Sequence, residues 1–274
     1  MKDLRKKAIY IRKLLIECVG SLGVGHLGGS LSIVDLLTVL YHDVMKIDPQ
    51  APQMPTRDRL VLSKGHAGPA LYATLVSAGY FKRGELLSLN QLGSCLPSHC
   101  NMQLTTGVDM TTGSLGQGLS CAVGMALGSR LAKDDAYIYA IIGDGESQEG
   151  QIWEAAMFAA QMELCRLIAF TDCNRFQIDG SVSEINEVED LSAKWKAFGW
   201  NTFRIDGHDL NLIGSTIRQA KSLNEKPSMI ILDTVKGKGV SFVENAGAAN
   251  HNMQISKEQT KTALAELERL EGEL

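Results

Sequence analysis

The sequence predicts an α/β fold in which a mainly parallel sheet carries helices on both faces. Short, largely apolar runs at Tyr137–Ile142, Leu167–Thr171 and Met229–Val235 read as buried strands. Helical patterns separate them, so strands and helices alternate along the chain. Strands with near-continuous apolar runs, rather than apolar residues at every second position, belong to sheets covered on both sides.

The elements follow in order. Residues 3–19 form an amphipathic helix, with Leu4, Ala8, Ile11, Leu15 and Cys18 on one stripe. A second helix starts near Ser32, with Ser32 and Asp35 as a capping box, and runs through Leu37 and Leu40. Arg59–Ser63 reads as a strand meeting Lys64-Gly65-His66, with a helix from about Ala67 to Ala78. Residues 80–113 are irregular and too long for an idle connection, which favours a functional loop. Gly116–Leu131 is a helix rich in Gly, Ala and Ser. The strand Tyr137–Ile142 ends at Gly143-Asp144-Gly145, Gly150–Met162 is helical, and Leu167–Thr171 ends at Asp172-Cys173-Asn174. Asn201–Ile205, a helix over 209–222 and Met229–Val235 continue the alternation. A closing helix over about 256–272 is capped by Ser256 and Gln259. One domain over 1–274 is expected.

Composition narrows the function classes. The 274 residues are 45% hydrophobic and 21% charged, with a formal net charge of −4. A nucleic-acid binder would be expected to be basic. Six cysteines form no CxxC pair, so free thiols in a reducing compartment are the simpler reading. The charged N-terminus lacks a signal-peptide core and no apolar run reaches spanning length, so a soluble, cytoplasmic protein without membrane contact is expected.

Crossovers between parallel strands are right-handed, so Asp144 and Asn174 both stand at carboxyl ends of strands, where open α/β sheets bind ligands. One carboxylate, one carboxamide and a nearby carbonyl make half an oxygen shell, which a hard divalent ion completes with diphosphate oxygens and water. A GDG alone is most often only a turn; an Asn closing the next strand strengthens the metal reading. Gly143 and Gly145 let backbone N–H groups approach a phosphate. Four of the six histidines, His26, His66, His99 and His251, fall in loops or at strand ends. Imidazoles there can relay protons or bond sugar hydroxyls, although any one alone reads equally as a surface loop residue. His42 and His208 read as structural.

The run Gly143-Asp144-Gly145-Glu146-Ser147-Gln148-Glu149-Gly150, followed by Trp153-Glu154-Ala155-Ala156 and Asn174, resembles the thiamine diphosphate signature. Together with Ile178-Asp179-Gly180, it is similar to the transketolase family in particular, with the match running from Val24 to His251. The resemblance implies the thiamine diphosphate-binding fold of the diphosphate-binding domain. It implies metal ligation by Asp144, Asn174 and the Phe176 backbone, with Mg2+, Ca2+ or Mn2+ as the ion. It makes His26, His66, His99 and His251 the substrate-channel histidines, with His66 and His251 also meeting the cofactor. The loop Thr112-Gly113-Ser114-Leu115-Gly116-Gln117-Gly118 resembles the family's cofactor loop, placing Gly113, Ser114 and Leu115 there beside Gly145. Lys64 and Lys236 are candidate diphosphate contacts, with a solvated lysine a close competing reading for each. Glu149 resembles the family's interface glutamate; on sequence alone it is an acid favourably placed at a helix N-terminus.

The family's reaction transfers a two-carbon ketol unit from a ketose phosphate to an aldose phosphate, with the cofactor as carbon nucleophile. The family's essential pyrimidine-side glutamate and its phosphate-gripping Arg and Ser residues lie beyond the first domain, and no second sheet pattern exists here. The resemblance therefore implies the N-terminal subunit of a split enzyme, active with a pyrimidine-domain partner, as an α2β2 assembly. Ser98-His99-Cys100 and Asn250-His251-Asn252 depart from the family's Gly-His-Pro and Trp-His-Gly and put the substrate sugar in question. The competing readings are the alpha chain of a 2-oxo acid dehydrogenase, a deoxyxylulose phosphate synthase-like fragment and a non-catalytic paralogue. An NAD-binding Rossmann protein is disfavoured because no GxGxxG follows the first strand.

Overall fold

The computed structural model describes residues 2–274. Five parallel strands form one sheet: β1 (Arg59–Leu62), β2 (Ile138–Gly143), β3 (Leu167–Cys173), β4 (Asn201–Asp206) and β5 (Ser228–Asp233), in the spatial order β1-β2-β3-β5-β4. Every residue of β3 is buried, as its apolar run 167–170 leads one to expect of a central strand, and Thr171 and Asp172 are buried with it. β4 lies at an edge and is largely half-buried or exposed.

The strand period of two divides the interior into two cores. Leu60, Leu62, Tyr139, Ile141, Ile168, Phe170, Ile230 and Leu232 face one side. There they meet α1 (Lys2–Leu22), α3 (Val34–Val39), α4 (Gly68–Ala78), α8 (Leu210–Ser222) and α9 (Lys257–Gly272), α2 (Leu27–Leu31) lying among them. Val61, Ile138, Ala140, Ile142, Ala169 and Ile231 face the other, against α5 (Gln117–Ala132), α6 (Gly150–Gln161) and α7 (Leu191–Ala197). The expected two-faced α/β architecture is therefore present.

The stripe Ala8, Ile11, Leu15 and Cys18 of α1 is buried, whereas Leu4 is only half-buried. Ser256 caps α9 by accepting from the Gln259 N–H at 3.1 Å, while the Gln259 side chain accepts from the Ser256 N–H at 2.9 Å. That reciprocal box stabilises the helix start by about 1 kcal/mol.

The capping box expected at Ser32 and Asp35 does not form. The chain there makes two short helices, and α3 is capped by Ile33 without a side-chain bond. Ser32 instead donates to the Gly29 carbonyl and to Asp172, and Asp35 pairs with Arg12 and His208. Long-range charged partners outcompete a local cap. Beyond Val39 the chain runs on into a π-helical turn over Leu40–Val44. A two-residue antiparallel ladder between Val24–Gly25 and Met253–Gln254 ties the His26 turn to the segment holding His251.

No helix among the described residues is long and apolar enough to cross a membrane.

Candidate active site

The carboxyl ends of β1, β2, β3 and β5 converge at one rim of the sheet. Each delivers a polar residue as its strand runs out: Lys64 after β1, Asp144 after β2, Asn174 after β3 and Lys236 after β5. Between them lies a cavity of about 190 Å3 lined by Lys64, His66, Leu115, Asp144, Gly145, Glu149, Asn174, Phe176, Lys236 and His251. His26 and His99 stand beside it: the His26 ring centroid is 5.5 Å from that of His66, 5.7 Å from His99 and 5.4 Å from His251. Gly113 and Ser114 line an adjoining concavity with Thr112 and Gln117.

Burial governs the charges. Asp144 is 3% exposed and accepts from the Gly145 N–H at 2.8 Å and the Arg175 N–H at 2.5 Å. Burial, then the charge of Asp172, pushes its carboxyl up to about 6. A carboxylate so placed favours a cation. Lys236 is nearly as buried; burial, then the like charge of Lys64, pushes its ammonium down to about 8. Its Nζ lies 3.4 Å from the Phe176 carbonyl oxygen and 3.5 Å from His251 Nδ1. Burial first, and then neighbouring positive charge, pushes His26 and His251 down to about 4 and His66 well below its ordinary value. At neutral pH these imidazoles are uncharged and able both to donate and to accept.

Two buried acids that the sequence pattern does not flag hold the rim together. Glu146 accepts from the N–H groups of Gly116 at 2.8 Å and Gly143 at 3.0 Å, and from the Ser63 hydroxyl. It thereby fixes the entry to α5 against the end of β2. Gly116 sits at φ +88, and a Cβ there would lie 2.9 Å from Glu149 Cβ, so glycine is required on both counts. Asp172 is fully buried and bonds Lys64, Ser32, Asn174 and Thr234. Burial alone would raise its carboxyl, but Lys64 and the hydroxyl donors more than offset this and hold it below the usual range. Its position two residues before Asn174 is the one signal the sequence offers. Lys64, 1% exposed and paired with Asp172, is no solvated surface lysine.

The donor set suits a diphosphate with a hard cation. Asp144, the Asn174 carboxamide and the Phe176 carbonyl line the same cavity as two buried ammonium groups. Among the described residues no cluster of three or more His, Cys, Asp or Glu could hold a metal alone. A cation here needs the mixed oxygen donors and ligand oxygens. A larger cavity of about 460 Å3 opens beside α1, α9 and the His208 turn, but none of these donors lines it.

Residues 4–267 match the family described as transketolase, thiamine diphosphate binding domain. The chain belongs to the transketolase family. It is a subunit of transketolase-type transferases and carries their thiamine diphosphate-binding domain. It is 58% identical over 267 residues to the 6-deoxy-6-sulfo-D-fructose transketolase subunit SqwG of a Clostridium species, covering 97% of each chain. It is 39% identical to an apulose-4-phosphate transketolase subunit of Phocaeicola vulgatus, covering 95% of this chain and 92% of that one. Among solved structures, the transketolase of Campylobacter jejuni superposes with a TM-score of 0.91 at 32% identity, over 98% of this chain and 43% of that one.

Proposed function

We propose that this transketolase-family chain is the diphosphate-binding subunit of a two-chain enzyme, with residues 1–274 acting as one domain. The enzyme moves a two-carbon ketol unit from a ketose with an anionic far end to an aldose phosphate. Its partner is a pyrimidine-domain subunit, assembled as α2β2 in the cytoplasm. The observation that carries this reading is the convergence of four imidazoles, His26, His66, His99 and His251, over a cavity holding Lys64, Asp144, Asn174 and Lys236.

Asp144, Asn174 and the Phe176 carbonyl would hold a divalent ion, Mg2+ or a similar hard cation, whose charge would offset that of the diphosphate. Lys64 and Lys236 supply the remaining positive charge. Gly113, Ser114 and Leu115 present backbone and an apolar side chain to the cofactor's ring, and Glu149 meets the partner. When bound, thiamine diphosphate would supply the carbon nucleophile for two-carbon transfer. His26 and His99 would bond sugar hydroxyls, and the neutral rings of His66 and His251 could hold or pass on a proton of the substrate. The neutrality of His26, His66 and His251 lets each act as donor toward one hydroxyl and acceptor toward another.

The relatives named for 6-deoxy-6-sulfo-D-fructose and for apulose-4-phosphate support a ketose that carries an anionic group and lies outside the common sugar phosphates. The departures flanking His99 and His251 fit that reading. The test is ketol transfer from 6-deoxy-6-sulfo-D-fructose and from fructose 6-phosphate, measured with the chain alone and with its partner. Transfer is expected only with the partner and preferentially from the sulfonated ketose. Turnover by the chain alone, or preference for the common sugar phosphate, contradicts the reading.

A further inference from the structure

We propose that Asp172 is a positioning residue: it sets which way the Asn174 amide faces and where the Lys64 ammonium sits, and so controls affinity for the metal–diphosphate rather than the chemical step. This rests on the metal and diphosphate reading of Asn174 and Lys64 given above.

The geometry is over-determined. Asp172 ends the stripe Ile168, Phe170 that faces the α2 side of the sheet, so its carboxylate runs into Ser32 and not into solvent. Oδ2 accepts from the Ser32 hydroxyl at 2.7 Å, from the Asn174 Nδ2 at 2.9 Å and from the Lys64 ammonium. Oδ1 accepts from the Thr234 hydroxyl at 2.5 Å. Four groups from four separate segments thus share one buried anion.

For Asn174 this decides the amide orientation. Nδ2 faces a carboxylate, and Oδ1 accepts from the Phe176 N–H at 3.1 Å. Turning the amide over would set an oxygen against the Asp172 carboxylate and an NH2 against the Phe176 N–H, an unfavourable contact on each side. The oxygen is therefore held on the side where a cation would lie. For Lys64 the same carboxylate occupies one ammonium proton and balances its charge, leaving the other two donors for an anion. Removing one partner of a buried pair leaves an uncompensated charge.

The test uses the assembled complex, titrated with MgCl2 and thiamine diphosphate by calorimetry. Asp172→Asn is expected to weaken binding about 10–100-fold, as loss of an outer partner does at metal sites. The kcat at saturating MgCl2 and cofactor stays near the unmodified value. The exchange Asp172→Asn with Asn174→Asp puts the NH2 at 172 and an oxygen pair at 174, and should recover part of the lost affinity. If Asp172→Asn does not fold, Ser32→Ala with Thr234→Val loosens the carboxylate without altering charge and should weaken binding several-fold.

Asn174→Ala separates the two claims. If Asn174→Ala weakens binding while the Asp172 and Ser32/Thr234 variants bind as the unmodified protein does, the positioning role is overturned. If Asn174→Ala also leaves binding unchanged, the metal reading itself fails and the inference falls with it. A drop in kcat at saturation with unchanged affinity likewise overturns it.

Discussion

His66 and His251 face one another with ring centroids 4.8 Å apart and planes tilted by 40°, although one follows β1 and the other lies near the C-terminus. The ladder that pairs Val24–Gly25 with Met253–Gln254 ties the His251 segment to the His26 turn, whose ring lies 5.5 Å from that of His66. Two imidazoles this close and this buried resist protonation together, since each charge loses hydration and repels its neighbour.

That resistance has a sign in stability. Burial pushes His26, His42 and His251 from an ordinary value of 6.5 down to about 4. The unfolded chain then binds more protons than the folded one in this interval. Their contribution is present in full above about 6.5 and is lost as pH falls through about 4. The urea midpoint of the chain should therefore decline steadily from pH 7 to pH 4; a flat profile across that window contradicts it.

Gly28 packs against Asn250, which is fully buried and donates its amide to the carbonyls of Lys236 and Val243. A Cβ at position 28 would lie 2.1 Å from the Asn250 side-chain oxygen and 2.8 Å from its backbone oxygen. Neither can give way without moving the His251 segment. Gly28→Ala should cost about 1–3 kcal/mol in denaturant unfolding. It should also raise KM for the ketose through displaced His26 and His251. Unchanged stability would mean the segment is looser than the packing indicates.

Arg12 meets Asp35 through both terminal nitrogens and the Lys238 carbonyl through Nε, in a nearly solvent-free setting. Burial alone would raise the Asp35 carboxyl; Arg12 and His208 override it and hold it at about 2. Arg12→Met should lower stability by on the order of 3 kcal/mol, read as a fall in Tm, because Asp35 keeps only His208. A change of a few tenths of a kcal/mol would show the pair to be replaceable.

The sheet was legible because β2, β3 and β5 carry the apolar runs 138–142, 167–170 and 229–232, and the rim was legible because Asp144 and Asn174 close adjacent strands. Ser32 and Asp35 do not form the expected box because a capping box is a local pattern, whereas their partners Asp172, Arg12 and His208 are set by tertiary packing. Asp172 and Glu146 escaped notice for the same reason: a buried acid leaves no trace in composition or periodicity. Only its burial against Asp172, a tertiary contact, distinguishes Lys64 from a surface lysine.

The most direct measurement is the affinity of the assembled complex for thiamine diphosphate with MgCl2, before and after Asp144→Ala. Loss of its carboxylate, 3% exposed and aimed at the cavity, should weaken binding by about 100-fold or more and abolish ketol transfer while the fold persists by circular dichroism. Cofactor affinity and turnover equal to those of the unmodified complex would contradict the account.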